Sequence, residues 1–249
     1  MKLAIDTDNK IFALDASLID FEAWVDDSPS YPTDGLLARY TFDNTLADDY
    51  GSNDLSSIDS ANWSYGIGKI GQCASVGGGD ELEVTLATTA TEIKELFYNT
   101  TPWTLNFWHR SAWDESAWRS LWCSREADTT NMTLNMMRPG DIKAQYNRGG
   151  VDFIQWENQG INDIMFDGDW HMMTMRYDGT TLYWDYDNGT VYSQTLGGTE
   201  DLGTTAEGLY FGKARGLEGY PFALDLLYVY NKKISDVEMA ELWNGGAGV

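Results

Sequence analysis

Apolar residues in this chain recur at every second position, in short runs of strand length punctuated by Gly, Asp and Asn. That period is the signature of half-buried β-strands, because successive side chains on a strand point to opposite faces. LLARYTF sets Leu36, Ala38, Tyr40 and Phe42 against Leu37, Arg39 and Thr41, and WTLNFWHR sets Trp103, Leu105, Phe107 and His109 against Thr104, Asn106, Trp108 and Arg110. MTLNMMRPGDIKAQYN reads as a hairpin around Arg-Pro-Gly-Asp, and strand runs continue at MMTMRY, LYWDY, LYFG and ALDLLYVY. Asp178-Gly179 and Asn188-Gly189 are pairs expected to supply the positive φ of turns. Many short strands with regular turn signals predict an all-β sandwich.

Two short helices are expected to interrupt the strands. In TTATEIKELFYN, Thr89 and Glu92 have capping-box spacing. In SDVEMAELWNGG, Ser235 and Glu238 repeat that spacing, and Asn244-Gly245 supplies a stop.

The first 33 residues read as a separate arm. KLAID and IFALD flank a polar TDNK and predict a small hairpin, while DDSPSYPTDG carries two of the five prolines and reads as a linker. The expected organisation is an arm over 1–33 and a sandwich over 34–249.

Charge narrows the partners. With 39 acidic against 16 basic residues the formal net charge is −23. Nucleic acid and anionic membrane surfaces are therefore poor partners, since both require clustered Lys and Arg. No stretch is long and apolar enough to span a bilayer. The only cysteines are Cys73 and Cys123, which excludes a disulfide scaffold and a cysteine zinc site. The opening MKLAIDTDNKIFALD lacks an apolar signal core, so it reads as a chain not addressed for export.

Four ordered segments carry a resemblance: GLLARYTFDNTLADDYGSNDLS, GKIGQCASVGGGDELEV, GDWHMMTMRYDGTTLYWDYDNG and FALDLLYVYNKKISDVEMAELWNGG. Together they resemble laminin-G-like domains of the concanavalin A-like lectin/glucanase superfamily, and the LWNGGAG ending is similar to such domains in phage virion proteins. The resemblance implies an antiparallel jelly roll of two packed sheets, glycan or protein binding, and in many members a structural Ca²⁺. Its ligands would fall on Asp43, Asp48, Asn53 and Asp225, which are hard oxygen donors of the type Ca²⁺ requires. The alternative for the 43–54 loop is an Asx-rich turn whose side chains cap backbone N–H groups.

Catalysis finds little support. A retaining glucanase needs two carboxylates close together, and only Glu81 and Glu83 of DELEV share a strand face. His109 and His171 sit in strand runs with no nucleophile motif beside them. Glycan binding needs aromatic faces with polar groups beside them, and Trp108, Arg110, Trp113, Trp118 and Arg119 supply both. The same residue types also fill sheet faces and oligomer interfaces, so the pattern leaves both readings open.

The expected function is a non-catalytic virion decoration or fibre protein, made in the host cytoplasm and attached to an assembly through the arm. A cell-surface glycan is the expected ligand, and the arm's strand edges also suit self-association into a homo-oligomer. The alternatives are a secreted, extracellular carbohydrate-binding module and a β-glucanase-type hydrolase.

Overall fold

A computed structural model describes residues 2–5, 11–14, 30–57, 63–76, 85–97, 101–113, 119–124, 132–138, 141–148, 151–155, 166–195, 207–212 and 221–249. They fall in two compact units, Met1–Ser30 and Tyr31–Val249.

The first unit contains β1 (Lys2–Ile5) and β2 (Ile11–Leu14), which pair antiparallel from Lys2↔Leu14 to Ile5↔Ile11 as a two-stranded sheet. This is the hairpin that KLAID and IFALD predict. Residues 21–29, including much of the expected linker, lie outside the described residues.

The second unit is an all-β sandwich of antiparallel sheets. Its strands are β3 (Leu36–Tyr40), β4 (Ser56–Ser57), β5 (Trp63–Ile67), β6 (Gln72–Val76), β7 (Thr85–Thr88), β8 (Trp103–Arg110), β9 (Arg119–Cys123) and β10 (Met132–Arg138). They continue as β11 (Asp141–Arg148), β12 (Val151–Gln155), β13 (His171–Tyr177), β14 (Thr181–Tyr186), β15 (Gly189–Thr195), β16 (Leu209–Gly212) and β17 (Phe222–Tyr230). One sheet runs β12-β11-β10-β9-β16-β7-β4; the other runs β15-β14-β13-β8-β17-β6-β5, with β3 also paired to β17. The predicted hairpin around Arg138 is present as β10–β11.

The core lies between the sheets. Tyr40, Trp103, Leu105, Phe107, Trp122, Met173, Met175, Trp184, Phe211 and Leu224 belong to one buried cluster. Alternation held on β3, where Leu36, Ala38 and Tyr40 are buried and Leu37 and Arg39 are half-buried. It broke down on β17, which is buried at every position, because its outer face is covered too.

That cover is α2 (Asp236–Trp243). Its N-terminus carries the predicted capping box, with Ser235 accepting from the Glu238 N–H and Glu238 accepting from the Ser235 N–H. Its C-terminus ends at Asn244 in the left-handed region, with φ 46° and ψ 50°. Met239 and Leu242 pack with Trp108, Met172, Leu226, Tyr228 and Tyr230 in a second cluster outside the sheet. Arg176, only 1% exposed, fixes the same region: its guanidinium donates to Asp185 at 2.7 and 2.8 Å, to Asp236 at 2.7 Å and to the Ile234 carbonyl at 3.1 Å.

Two local expectations are corrected. The helix α1 (Thr91–Glu95) has Ala90 as its N-cap and no side-chain cap, so Thr89 does not form a capping box. In the β14–β15 turn the positive φ falls on Asp187 and Asn188 (46° and 62°), one residue earlier than expected, and Gly189 already pairs with Tyr186. The shift has a cause: Asp187 in this position accepts from the Met172 N–H at 3.0 Å and bonds His171 Nδ1 at 2.8 Å.

Candidate functional site

The site is set by an irregularity in β17. Its register against β8 shifts between Asp225 and Tyr228, and Leu226 takes φ 48°. Such a bulge re-aims side chains and changes pairing. On its other edge β17 pairs with β6 up to Leu224 and with β3 from Leu227 onward.

Asp225, fully buried at the bulge, accepts from the N–H groups of Lys69 (2.7 Å), Ile70 (3.1 Å) and Leu226 (2.8 Å). Burial pushes its pKa up to about 7, against the pull of those N–H groups, and the nearby charge of Asp43 pushes the same way. Asp43 in turn accepts from the Gln72 N–H at 2.7 Å. The loop 68–71 is thus clamped between two carboxylates, at a closeness only glycine permits. A methyl group on Gly71, at φ 61°, would lie 2.3 Å from Asp43 Oδ1, and one on Gly68 would lie 2.6 Å from Asp225 Oδ2.

Asp48 and Asn53 are gathered elsewhere. Asp48 Oδ1 accepts from the Arg39 and Tyr50 N–H groups, and Oδ2 from the Asn53 N–H, each at 3.0 Å. Asn53 Nδ2 donates to the Leu37 carbonyl at 3.0 Å and to Asp48 Oδ2 at 3.3 Å. Burial opposes ionisation of Asp48, but its N–H donors outweigh that and hold its pKa below the ordinary carboxylate value. The four residues expected as calcium ligands therefore divide into an Asp43–Asp225 pair and an Asp48–Asn53 turn. Among the described residues no three His, Cys, Asp or Glu side chains are grouped to hold a metal. Asp43 and Asp225 suit a cation, which would relieve a buried negative charge. Both oxygens of Asp48 already accept backbone N–H groups, as both oxygens of Asp225 do.

The residues expected to bind glycan are also divided. Trp108 is 1% exposed; Trp243 stacks on it at 5.3 Å and 9°, and the Lys69 ammonium lies 4.2 Å from its ring centroid. Trp113 is buried in the main core, edge-on to Phe166 at 5.7 Å. Neither offers a face to a sugar, because other side chains already cover it. Trp118, Glu81 and Glu83 lie outside the described residues, and of Arg119 only the backbone, at the start of β9, is described.

Arg110 is different. Register aligns Ser64 with Ser75, Ser75 with Ala223, and Ala223 with Arg110 across four neighbouring strands. Trp108, two residues before Arg110, belongs to the cluster outside the sheet, and alternation puts Arg110 and its row on that outer face. Small side chains there leave a shallow, open trough of about 200 Å³ lined by Ser75, Arg110, Ser111, Gly168, Pro221 and Ala223. The Arg110 guanidinium lies 4.7 Å from the centroid of Trp170, and Nη2 donates to the Ile67 carbonyl at 3.4 Å. Ser111 donates to the Pro221 carbonyl at 2.7 Å, joining two walls.

Trp170 was missed as a site residue, because the Trp-His pair reads as part of the fold. Its only signal was proximity to His171, which register places opposite His109 and therefore beside Arg110. The two cysteines are free and buried, Cys73 on β6 and Cys123 on β9 in the opposite sheet. No helix among the described residues is long and apolar enough to cross a membrane.

No protein-family profile and no curated protein matches this sequence. Solved structures do match. The chain is similar to the binding domain of Paraclostridial Mosquitocidal Protein 1, with TM-score 0.68 and 12% identity over 85% of this chain and 52% of that one. It is similar to the binding domain of botulinum neurotoxin DC, solved with rat synaptotagmin II, with TM-score 0.63 and 11% identity over 85% and 52%. It is also similar to domain 4 of AbnA, a GH43 extracellular arabinanase from Geobacillus stearothermophilus, solved with arabinotriose. There the TM-score is 0.62 and the identity 16%, over 83% of this chain and 97% of that one. The chain thus spans about half of each toxin domain and nearly all of the arabinanase domain. At such identities the likeness is one of fold: a β-sandwich shared with the two toxin binding domains and with the arabinanase domain.

Proposed function

We propose that this chain is a non-catalytic glycan-binding domain, carried on a virion or similar assembly by its N-terminal arm. The observation that carries the binding reading is the trough lined by Arg110, whose guanidinium rests on Trp170, open on the outer face of a lectin-like sandwich. Its volume is below the range of drug-sized pockets, which suits the end of a glycan rather than an enclosed ligand. The neighbour solved with arabinotriose supports a saccharide as ligand. The test is a glycan panel probed with wild type and with Trp170→Ala; equal binding by both would remove the trough from the function.

The virion reading rests on the arm. A lone two-stranded hairpin is marginal in water and gains by pairing with another strand. Light scattering and virion fractionation test this. A full-length protein that stays monomeric and free of any assembly would overturn it. A secreted carbohydrate-binding module is the second reading, favoured by the near-complete coverage of the arabinanase domain; an upstream signal and catalytic domain in the gene would select it.

A structural Ca²⁺ belongs to the same proposal, held by Asp43 and Asp225 and tying the 68–71 loop to the β17 bulge. Chelation then lowers the melting temperature in wild type and leaves Asp225→Ala unchanged, because a ligand of the native state stabilises by mass action.

A further inference from the structure

The trough is lined by one cation, Arg110. Among the described residues no carboxylate pairs with Arg110; its contacts are the Trp170 ring and the Ile67 carbonyl. Arg176 is held by Asp185 and Asp236, and Lys232 by Asp34 and Glu238. Beside Arg110 the register row continues instead with Ala223 and Ser75, which carry no charge. The Ser75 hydroxyl is half-exposed and makes no described hydrogen bond.

We infer that Arg110 receives the carboxylate of an acidic saccharide, such as a sialic or uronic acid. The inference rests on the glycan-binding reading above and names the ligand class for that trough. A guanidinium presents N–H donors in a flat fork that matches a carboxylate with two parallel bonds, stronger than neutral hydrogen bonds. The Trp170 ring, its centroid 4.7 Å from the guanidinium carbon, helps to position that fork before any ligand arrives. Pro221 and Ala223 offer apolar surface to the sugar's C–H groups, and Ser75 offers a hydroxyl to the ring substituents. The chain's charge of −23 repels anions at long range, so recognition must come from this local contact rather than from steering.

The test uses the full-length protein on a panel of sialylated and uronate-bearing glycans, their methyl esters, and neutral and sulfated glycans. Binding is expected on the carboxylate-bearing members and about tenfold or more weaker on the esters, the scale of a lost charge-assisted contact. Arg110→Gln abolishes the preference, and Ser75→Tyr, which fills the trough without touching the charge, abolishes the same binding. Equal binding of neutral glycans, a preference for sulfate, or an acid preference that survives Arg110→Gln overturns the acidic ligand and leaves glycan binding standing. Binding to no member of the panel overturns both.

Discussion

The outer face of the eight-stranded sheet has two halves built in opposite ways. Under α2 it carries Trp108, Met172, Tyr228 and Tyr230, packed against Met239 and Leu242. Toward β5 and β6 it carries Ser64, Ser75 and Ala223, with Arg110 standing at the border. Large side chains on the first half gain free energy by being covered, so the chain supplies its own cover. Small ones on the second half gain little and leave a recess. Cations follow the same division: Arg176 is closed in by carboxylates, whereas Arg110 is left facing the recess. A sheet face filled by its own helix is architecture, and the face left open beside Arg110 is where we propose that a ligand binds.

The covered half is the easier to break. Arg176→Met strands Asp185, only 1% exposed, without its cation. Removing one partner of a buried pair costs about 3–5 kcal/mol, so urea or thermal unfolding should show a large loss. If stability barely changes, the α2 half is not held by this network, and the contrast between the two cations loses its structural side.

The 68–71 loop stands between the halves: Lys69 covers Trp108, and the Ile67 carbonyl just before it receives Arg110. Gly71→Ala forces a side chain into φ 61° with its methyl 2.3 Å from Asp43 Oδ1. A left-handed non-glycine residue costs about 1–3 kcal/mol before any clash. The melting temperature should fall, and glycan affinity should fall with it if the loop positions Arg110. Loss of stability with full affinity would detach the loop from the open half.

Sequence alone revealed one half better than the other. Alternation and the Ser235–Glu238–Asn244 signals located the strands and α2, because period two and capping chemistry are local. Trp108 and Trp113 were legible as aromatics but not as covered ones, since cover arrives from Trp243 and Phe166, far along the chain. The trough was illegible for the same reason: Ser75, Ala223 and Arg110 line one recess only through register across three strands. The β17 bulge, which splits the expected calcium ligands, has no marker either, because Leu226 at φ 48° is a residue that ordinarily avoids that conformation.

A variant that closes the recess sharpens the comparison from the open side. Ala223→Leu points a branched side chain from β17 into the trough. It should weaken glycan binding about tenfold, or about 1.4 kcal/mol, with a melting temperature near wild type if the added side chain enters the trough that Ala223 lines. Isothermal titration beside a thermal melt separates the two effects. A strong loss of stability would mean that the recess is part of the packed core.

The smallest effect concerns the hinge between the halves, where His171 follows Trp170. Its ring bonds Asp187 at 2.8 Å and Asp167 at 3.2 Å, and Asp167 precedes Gly168, which lines the trough. Burial alone would lower its pKa, but the two carboxylates outweigh burial and hold it above the ordinary histidine value. The neighbouring His109 goes the other way: burial, with a small contribution from the charge of His171, pushes it down to about 3. The signs therefore differ. A group whose folded pKa is raised contributes stability that is complete below its unfolded pKa, near 6.5, and is lost as pH rises through the folded value. A histidine with a depressed folded pKa destabilises instead as pH falls below about 6.5, because only the unfolded chain then takes up the proton. His171→Asn should consequently flatten the decline in melting temperature above pH 6.5, and slightly ease the acid-side loss as well, because the charge that helps to depress His109 is gone. Glycan affinity should decline over the same alkaline window in wild type, since the Asp167 contact secures one wall of the trough. A melting profile unchanged by His171→Asn on the alkaline side would show that the charge on His171 does not stabilise the wall.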